Sequence, residues 1–130
     1  MKESKEPKRG RRYSRAEIFK MFGGNMQSAL PFKDGEAVAG CYDPKMNPDA
    51  PEVILVGVGV YKEYYSQRAA EQRTMLPIFL KRANAEYEFV GYYRAVRYST
   101  DRTEIRRQNI GDRPENNIAG VLYFEEAKTV

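Results

Sequence analysis

The sequence contains no histidine, no tryptophan and a single cysteine, Cys41. Without histidine there is no Ser-His-Asp or Cys-His nucleophile pair, no imidazole-bearing zinc site, and no unperturbed side chain that titrates near neutral pH. One thiol closes neither an intrachain disulfide nor a four-thiolate metal centre, so the fold must rest on packing and suits a reducing compartment. Cys41 itself fits a small buried hydrophobe in a strand. Long apolar runs are missing too: the longest, residues 53–61, falls far short of the ~20 residues of a spanning helix. No apolar segment behind the basic N-terminus resembles a secretory signal. These absences lead us to expect an intracellular protein, cytoplasmic or, in a eukaryote, nuclear.

Other chemistries are thinly supported. Asp34, Asp43, Asp49 and Asp101 stand near turns, where aspartate commonly bonds its own backbone, and no spacing suggests a two-metal nuclease or a paired-carboxylate hydrolase. Gly57-Val58-Gly59 lacks the third glycine and the strand-to-helix setting of a dinucleotide fingerprint. No cofactor and no metal are expected.

What is present is a globular composition with a lopsided charge. The 130 residues are 42% hydrophobic and 31% charged, which fits one domain with one core. Net charge is +4, but Lys2, Lys5, Lys8, Arg9, Arg11, Arg12 and Arg15 against Glu3 and Glu6 give residues 1–15 a balance of +5, leaving −1 for the rest. Residues 1–12, with Pro7 and Gly10 and no apolar periodicity, read as a disordered basic arm ahead of a single domain spanning 13–130. Such an arm can grip phosphate while the body does something more selective, or serve only as a solubilising tail.

Hydrophobic periodicity places the elements. Ser14-Arg15-Ala16-Glu17 has capping-box spacing, Ile18, Met21 and Phe22 recur on one helical face, and Gly23-Gly24 supply the stop. Residues 36–41 read as a first strand, ended by a Pro- and Asp-rich turn. Residues 53–60, apolar on both faces, read as a central strand. Residues 61–65 then read as a connection, 66–75 as a helix ended before Pro77, and 77–82 as a short strand. Residues 87–98 alternate as one long strand, with Tyr87, Phe89, Gly91, Tyr93, Ala95 and Arg97 on one face and a bend at Gly91. Residues 99–117 read as a long polar excursion or flexible loop, and 118–125 as the closing strand. The fold class is therefore α+β: a small curved mixed sheet or partly open barrel with two short helices.

Three constellations can carry binding. In the loop after the first helix, Gly23 and Gly24 turn the backbone while Asn25, Gln27 and Ser28 offer groups that donate and accept at the edge of a nucleobase; a plain helix cap followed by a polar turn also explains the glycines. Ten tyrosines include Tyr61, Tyr64, Tyr65, Tyr92 and Tyr93 near strand ends, where a ring can stack on an unstacked base or simply fill the rim of the core. Among them stand Lys62, Arg68, Arg73, Lys81, Arg82, Arg94 and Arg97, able to track phosphate or to pair with Glu63, Glu71, Glu86 and Glu88.

The ordered series SRAEIFKMFGGNMQSALP, VILVGVGV, QRAAEQRTMLPIFLKR and YEFVGYYR resembles the SRA-like branch of the PUA-like superfamily. That branch includes SET- and RING-associated modules and the readers fused to HNH nucleases in modification-dependent restriction. The likeness runs from Ser14 to about Tyr98. It implies a curved, barrel-like sheet whose concave side accepts a nucleobase, often modified and flipped from the duplex, without chemistry on it. Carried over, Gly23, Gly24 and Gln27 stand in the loop near nucleic acid, Gly57 and Gly59 form the bend beside the pocket, and Tyr64, Tyr65, Gln72 and Arg73 form its wall or phosphate contacts. Two departures stand out: Asp43 is the one counterpart to the family's base-reading aspartates, and Val56-Gly57-Val58-Gly59 lacks the aromatic and hydroxyl residues of the family's turn. No HNH segment is present, so cleavage would belong to a partner or to another domain.

The resulting expectation is a non-catalytic nucleic-acid reader, with DNA favoured over RNA. Its candidate contacts are Arg9, Arg11 and Arg12 on the arm, Gly23, Gly24, Asn25, Gln27 and Ser28 in the loop, and Tyr64, Tyr65, Arg68, Gln72, Arg73 and Arg94 on the body. The alternatives are a protein-interaction module using a sheet edge or residues 99–117, and an enzyme acting on a nucleotide or small ligand through Asp43 or Asp34.

Overall fold

A computed structural model describes residues 6–111 and 113–127. In chain order the elements are β1 (Arg12–Tyr13), α1 (Arg15–Phe22), β2 (Phe32–Lys33), β3 (Glu36–Ala37), β4 (Gly40–Tyr42), β5 (Val53–Gly57), α2 (Val60–Gln72), β6 (Met75–Ala83), β7 (Glu86–Ser99), α3 (Arg102–Gln108) and β8 (Ile118–Glu126). The main sheet runs β4-β6-β7-β8-β5, with β1 added beside β7, and it is open. β4 lies parallel to β6 while the other neighbours are antiparallel, so the sheet is mixed. β2 and β3 form a separate small hairpin.

The capping box at the start of α1 forms as its spacing requires: Ser14 Oγ accepts from the Glu17 amide at 3.1 Å, and Glu17 Oε1 accepts from the Ser14 amide at 2.8 Å. Gly23 and Gly24 then reverse the chain at φ +81° and +83°. A side chain on Gly24 would lie 2.9 Å from Val38 Cγ2 and 3.0 Å from Pro31 Cβ, so both space and conformation call for glycine there. Ile18 is the buried anchor of α1, packed with Ala39, Cys41, Phe79 and Phe89.

β7 is the spine of the sheet, and its length forces it to bend. Opposite β6 the register moves from Ile78↔Gly91 to Phe79↔Phe89, which leaves Val90 as an extra residue; opposite β8 it moves from Ala95↔Phe124 to Arg97↔Tyr123, which leaves Val96. Each bulge swaps the two faces of the strand. Tyr87, Phe89 and Tyr92 accordingly pack toward α1, while Val90, Tyr93, Ala95 and Tyr98 join the larger cluster that α2 covers through Ala69. The uninterrupted alternation expected from sequence is thus broken twice, and the bend expected at Gly91 (φ +134°) sits next to the first bulge.

Four other expectations are corrected. β5 is an edge strand, not a central one; it is apolar on both faces because Ile54 and Val56 meet the large cluster while Leu55 meets Ile105, Ile118 and Val121. It ends at Gly57, and the helix expected from residue 66 begins at Val60, where Glu63 caps the Gly59 amide at 3.0 Å. Residues 99–117 are not a loose loop, since α3 and a short 3₁₀ turn at Glu115–Asn117 occupy most of the segment. The arm is ordered over its described part: the Gly10 amide bonds the Phe89 carbonyl at 2.9 Å, Tyr92 Oη donates to Glu6 at 2.7 Å, and Arg12 pairs in register with Glu88. Residues 1–5 of that arm lie outside the described residues.

Candidate nucleic-acid interface

The α1–β2 loop, the turn after β4, the end of β5 and the first turns of α2 converge on a cavity of about 420 Å³, which lies within the ~300–1,000 Å³ range of small-ligand sites. Its aromatic wall is a stack: Phe32 lies parallel to Tyr65 at 3.8 Å between ring centroids and faces Tyr61 at 5.9 Å. Tyr64 closes the outside of the stack edge-on to Tyr65 at 4.9 Å. Opposite stand Tyr42, Asp43 and Asn47. The turn holding them is tied down by its own side chains. Asp43 Oδ1 accepts from the Lys45 amide at 3.0 Å, and Asn47 spends its amide on the Asp43 carbonyl (3.3 Å) and the Leu55 N–H (2.8 Å). Asn47 is therefore structural, whereas Asp43 shares the lining with Gln27, Ser28 and Ser66.

Burial sets the acidity of the cavity floor. The Cys41 thiol is pushed up to about 12 by desolvation, against a smaller opposing pull from Arg15, which makes it an inert neutral group. Burial likewise raises the Tyr42 phenol, with a lesser push from Cys41. Among the described residues Asp43 is the one acidic residue in the lining, with no second carboxylate placed to share acid–base work with it.

No protein-family model matches the sequence, and no curated protein matches it. Solved structures do. The SUVH5 SRA domain with fully methylated CG DNA superposes at a TM-score of 0.61 and 12% identity, covering 95% of this chain and 94% of that one. KRYPTONITE in complex with mCHG DNA and SAH gives 0.59 at 9% identity, over 94% of this chain and 32% of that one. This chain has the SRA-domain fold. The phosphorothioation-dependent Type IV restriction endonuclease ScoMcrA matches as well, at 0.54 and 14% identity, over 95% of this chain and 29% of that one.

Within this SRA fold the residues singled out from sequence scatter. Gln27, Ser28 and Tyr65 line the cavity. Asn25 shapes the loop beside it, its Oδ1 accepting from the Gln27 amide at 3.1 Å and the Ser28 amide at 2.7 Å. Gly23 and Gly24 act through the backbone alone. Gln72 is not a wall of the cavity: its amide pairs with both backbone groups of Ala37, at 3.2 and 3.1 Å, and pins β3 to α2. Arg73 is the left-handed cap of α2, and its carbonyl accepts from Arg94 Nε at 2.8 Å. Arg68 pairs with Glu36, Arg9 with Glu126 and Arg12 with Glu86, while Arg11 lies over the Tyr13 ring. Gly57 lines the cavity at the bend, as the resemblance implies, and Gly59 caps α2 just beyond it.

The site also contains residues that were not among the chosen contacts. Arg15 entered only the charge balance of residues 1–15 and the capping box, Phe32 lay outside the elements read from sequence, and Arg113 stood in the presumed loop. Lys62, Lys81 and Tyr61 carried a signal as bases and aromatics near strand ends, but only the fold brings them together with Asp43.

Proposed function

We propose that this chain is a non-catalytic DNA reader that receives a base, flipped from the duplex, in the cavity between the Tyr61–Phe32–Tyr65 stack and the Asp43 turn. The observation that carries this reading is the cavity itself: an aromatic wall facing an anchored carboxylate and two polar loop side chains, in a fold whose solved counterparts include complexes with methylated DNA. Stacking on the wall supplies sequence-tolerant affinity, about 1–3 kcal/mol per base. Asp43 accepts from an exocyclic amino group, while Gln27 and Ser28 complete the edge. Lys8 and Arg11 on the outer face, with Arg9 and Arg12 beside them, serve phosphate and set the salt dependence. Any cleavage is assigned to a nuclease or other effector in a partner or a further domain, since the sequence has no histidine and the described cavity lining has no second carboxylate.

The test is a salt-series titration against duplexes identical but for one cytosine, unmodified or modified, together with single strands. Arg12 belongs to the sheet, and Gly10 and Arg11 bond the backbone of β7, so the arm is probed by charge removal (Lys8→Gln with Arg11→Gln) and not by deletion. The reader reading requires a base-dependent increment that survives moderate salt and the charge-removed variant. Binding that disappears with the arm charge and prefers no oligonucleotide overturns it and leaves a protein-docking role.

A further inference from the structure

The cavity lining is strongly cationic. Among the described residues, Arg15, Lys62, Lys81 and Arg113 line it with one carboxylate, Asp43, a formal +3 from four cations and one anion. Several arginines elsewhere are matched to acids, Arg82 to Glu88, Arg97 to Glu104, and Arg102 and Arg106 to Glu115, while Arg94 spends its Nε on the Arg73 carbonyl. None of the four cavity cations forms an ion pair with a described carboxylate.

Two of them are fixed by carbonyl oxygens instead. Arg15 Nη2 donates to the carbonyls of Asn25 (3.3 Å) and Ser28 (2.8 Å), while its Nε is buried without a hydrogen-bond partner. Arg113 Nη1 donates to the carbonyls of Met46 (3.2 Å) and Leu55 (3.0 Å), and desolvation lowers its pKa from the usual value. Lys62 folds back over the β5–α2 turn, its Nζ 3.4 Å from where a Gly57 Cβ would lie. Arg15 and Arg113 are partly buried and, among the described residues, held by carbonyl oxygens and not by a carboxylate; burying such charge is costly, and a neutral methylated base would leave that cost standing. An anionic ligand would relieve it through charge-assisted hydrogen bonds.

Building on the reader reading above, we infer that the occupant this cavity is built for is a DNA base carrying an anionic substituent, such as a cytosine with a ring carboxylate. The wall cations supply its counter-charge and Asp43 takes its amino group. The same chemistry, a flat base with a negative charge, is offered by a free nucleoside monophosphate, so the experiment contains both.

Full-length protein is titrated with duplexes differing only in one cytosine (unmodified, 5-methyl, 5-carboxyl), with deoxycytidine monophosphate as a free competitor. The carboxylated duplex should bind about tenfold tighter than the methylated one, the scale of one hydrogen bond to a charged group. Lys62→Gln and Lys81→Gln, whose side chains lie near the surface, should shrink that ratio several-fold. If these lysines serve only phosphate, both variants weaken every duplex equally, the ratio stays, and the inference fails. A methylated duplex bound as tightly as the carboxylated one, with both above unmodified, overturns the inference while the reader stands. No preference among the duplexes overturns the reader itself. Competition by the mononucleotide at concentrations matching the duplex affinity supports the anionic chemistry and overturns its DNA source.

Discussion

The two ends of β7 handle charge in opposite ways. At its start, Tyr87 borders the cavity, whose described lining holds four cations and one carboxylate, and the Arg15 guanidinium lies over the Tyr87 ring at 5.8 Å. At its far end, Arg97 and Ser99 meet Glu104 of α3, a carboxylate only 6% exposed that accepts from Ser99 Oγ at 2.7 Å and from Tyr123 Oη and Arg97 as well. There Arg97 and Glu104 are paired, and the cluster sits beside the apolar contact of Ile105 with Leu55, Ile118 and Val121. Matched charge fixes a structure, whereas unmatched charge in a cavity leaves free energy for a ligand to recover. The α3 end is the clip that holds the sheet, and the α1–α2 end is the part left open.

Substitutions should separate the two ends. The largest stability effect is expected from Ile105→Ala, which empties a fully buried site under α3: about 2–5 kcal/mol by denaturant titration, with base preference per folded molecule unchanged. A change in preference at constant stability would break the division of labour. Tyr65→Ala should act in the opposite sense. It removes a ring of the wall and should lower affinity for the preferred duplex by roughly 5- to 150-fold, the equivalent of one lost base stack, measured by anisotropy on a variant checked for folding.

Acid should find the clip first. Hydrogen bonds from Ser99, Tyr123 and Arg97 hold the Glu104 carboxyl at about 2, below its ordinary 4.5. A depressed carboxyl stabilises the fold fully above its unfolded value, and that contribution is lost as pH falls from about 4.5 toward about 2. Urea midpoints across this window should fall for the native chain and change less for Glu104→Gln, which starts lower at neutral pH. Smallest of all, Lys62→Gln should leave stability within ~0.5 kcal/mol because the side chain is exposed, while still altering binding.

Local signals were legible where the physics is local. The capping box of α1, its glycine stop and the bend of β7 are written in neighbouring residues, and the structure realises each. The position of β5 was not legible, because an apolar strand reads the same whether a second strand or a helix covers its face. Here α3 does so through Ile105, from a segment whose polar surface hid one buried anchor. The helix α2 was read late for a related reason: Tyr61, Tyr64 and Tyr65 have strand propensity, and packing of Phe32 against Tyr65 and Tyr61 outweighs it.

The site divides along the same line. Gln27, Ser28 and Tyr65, amides and rings near a glycine turn, line the cavity, whereas Gln72 has the same chemistry and is spent on Ala37. Composition alone determined that no imidazole or disulfide chemistry operates in this chain, and sequence patterning determined an α+β fold with a polar loop after its first helix. Only the tertiary structure decided which charges are matched. Pairing depends on distances between residues far apart in the chain, such as Arg9 with Glu126 or Arg12 with Glu86, and two bulges in one strand are enough to turn a side chain from one face of the sheet to the other.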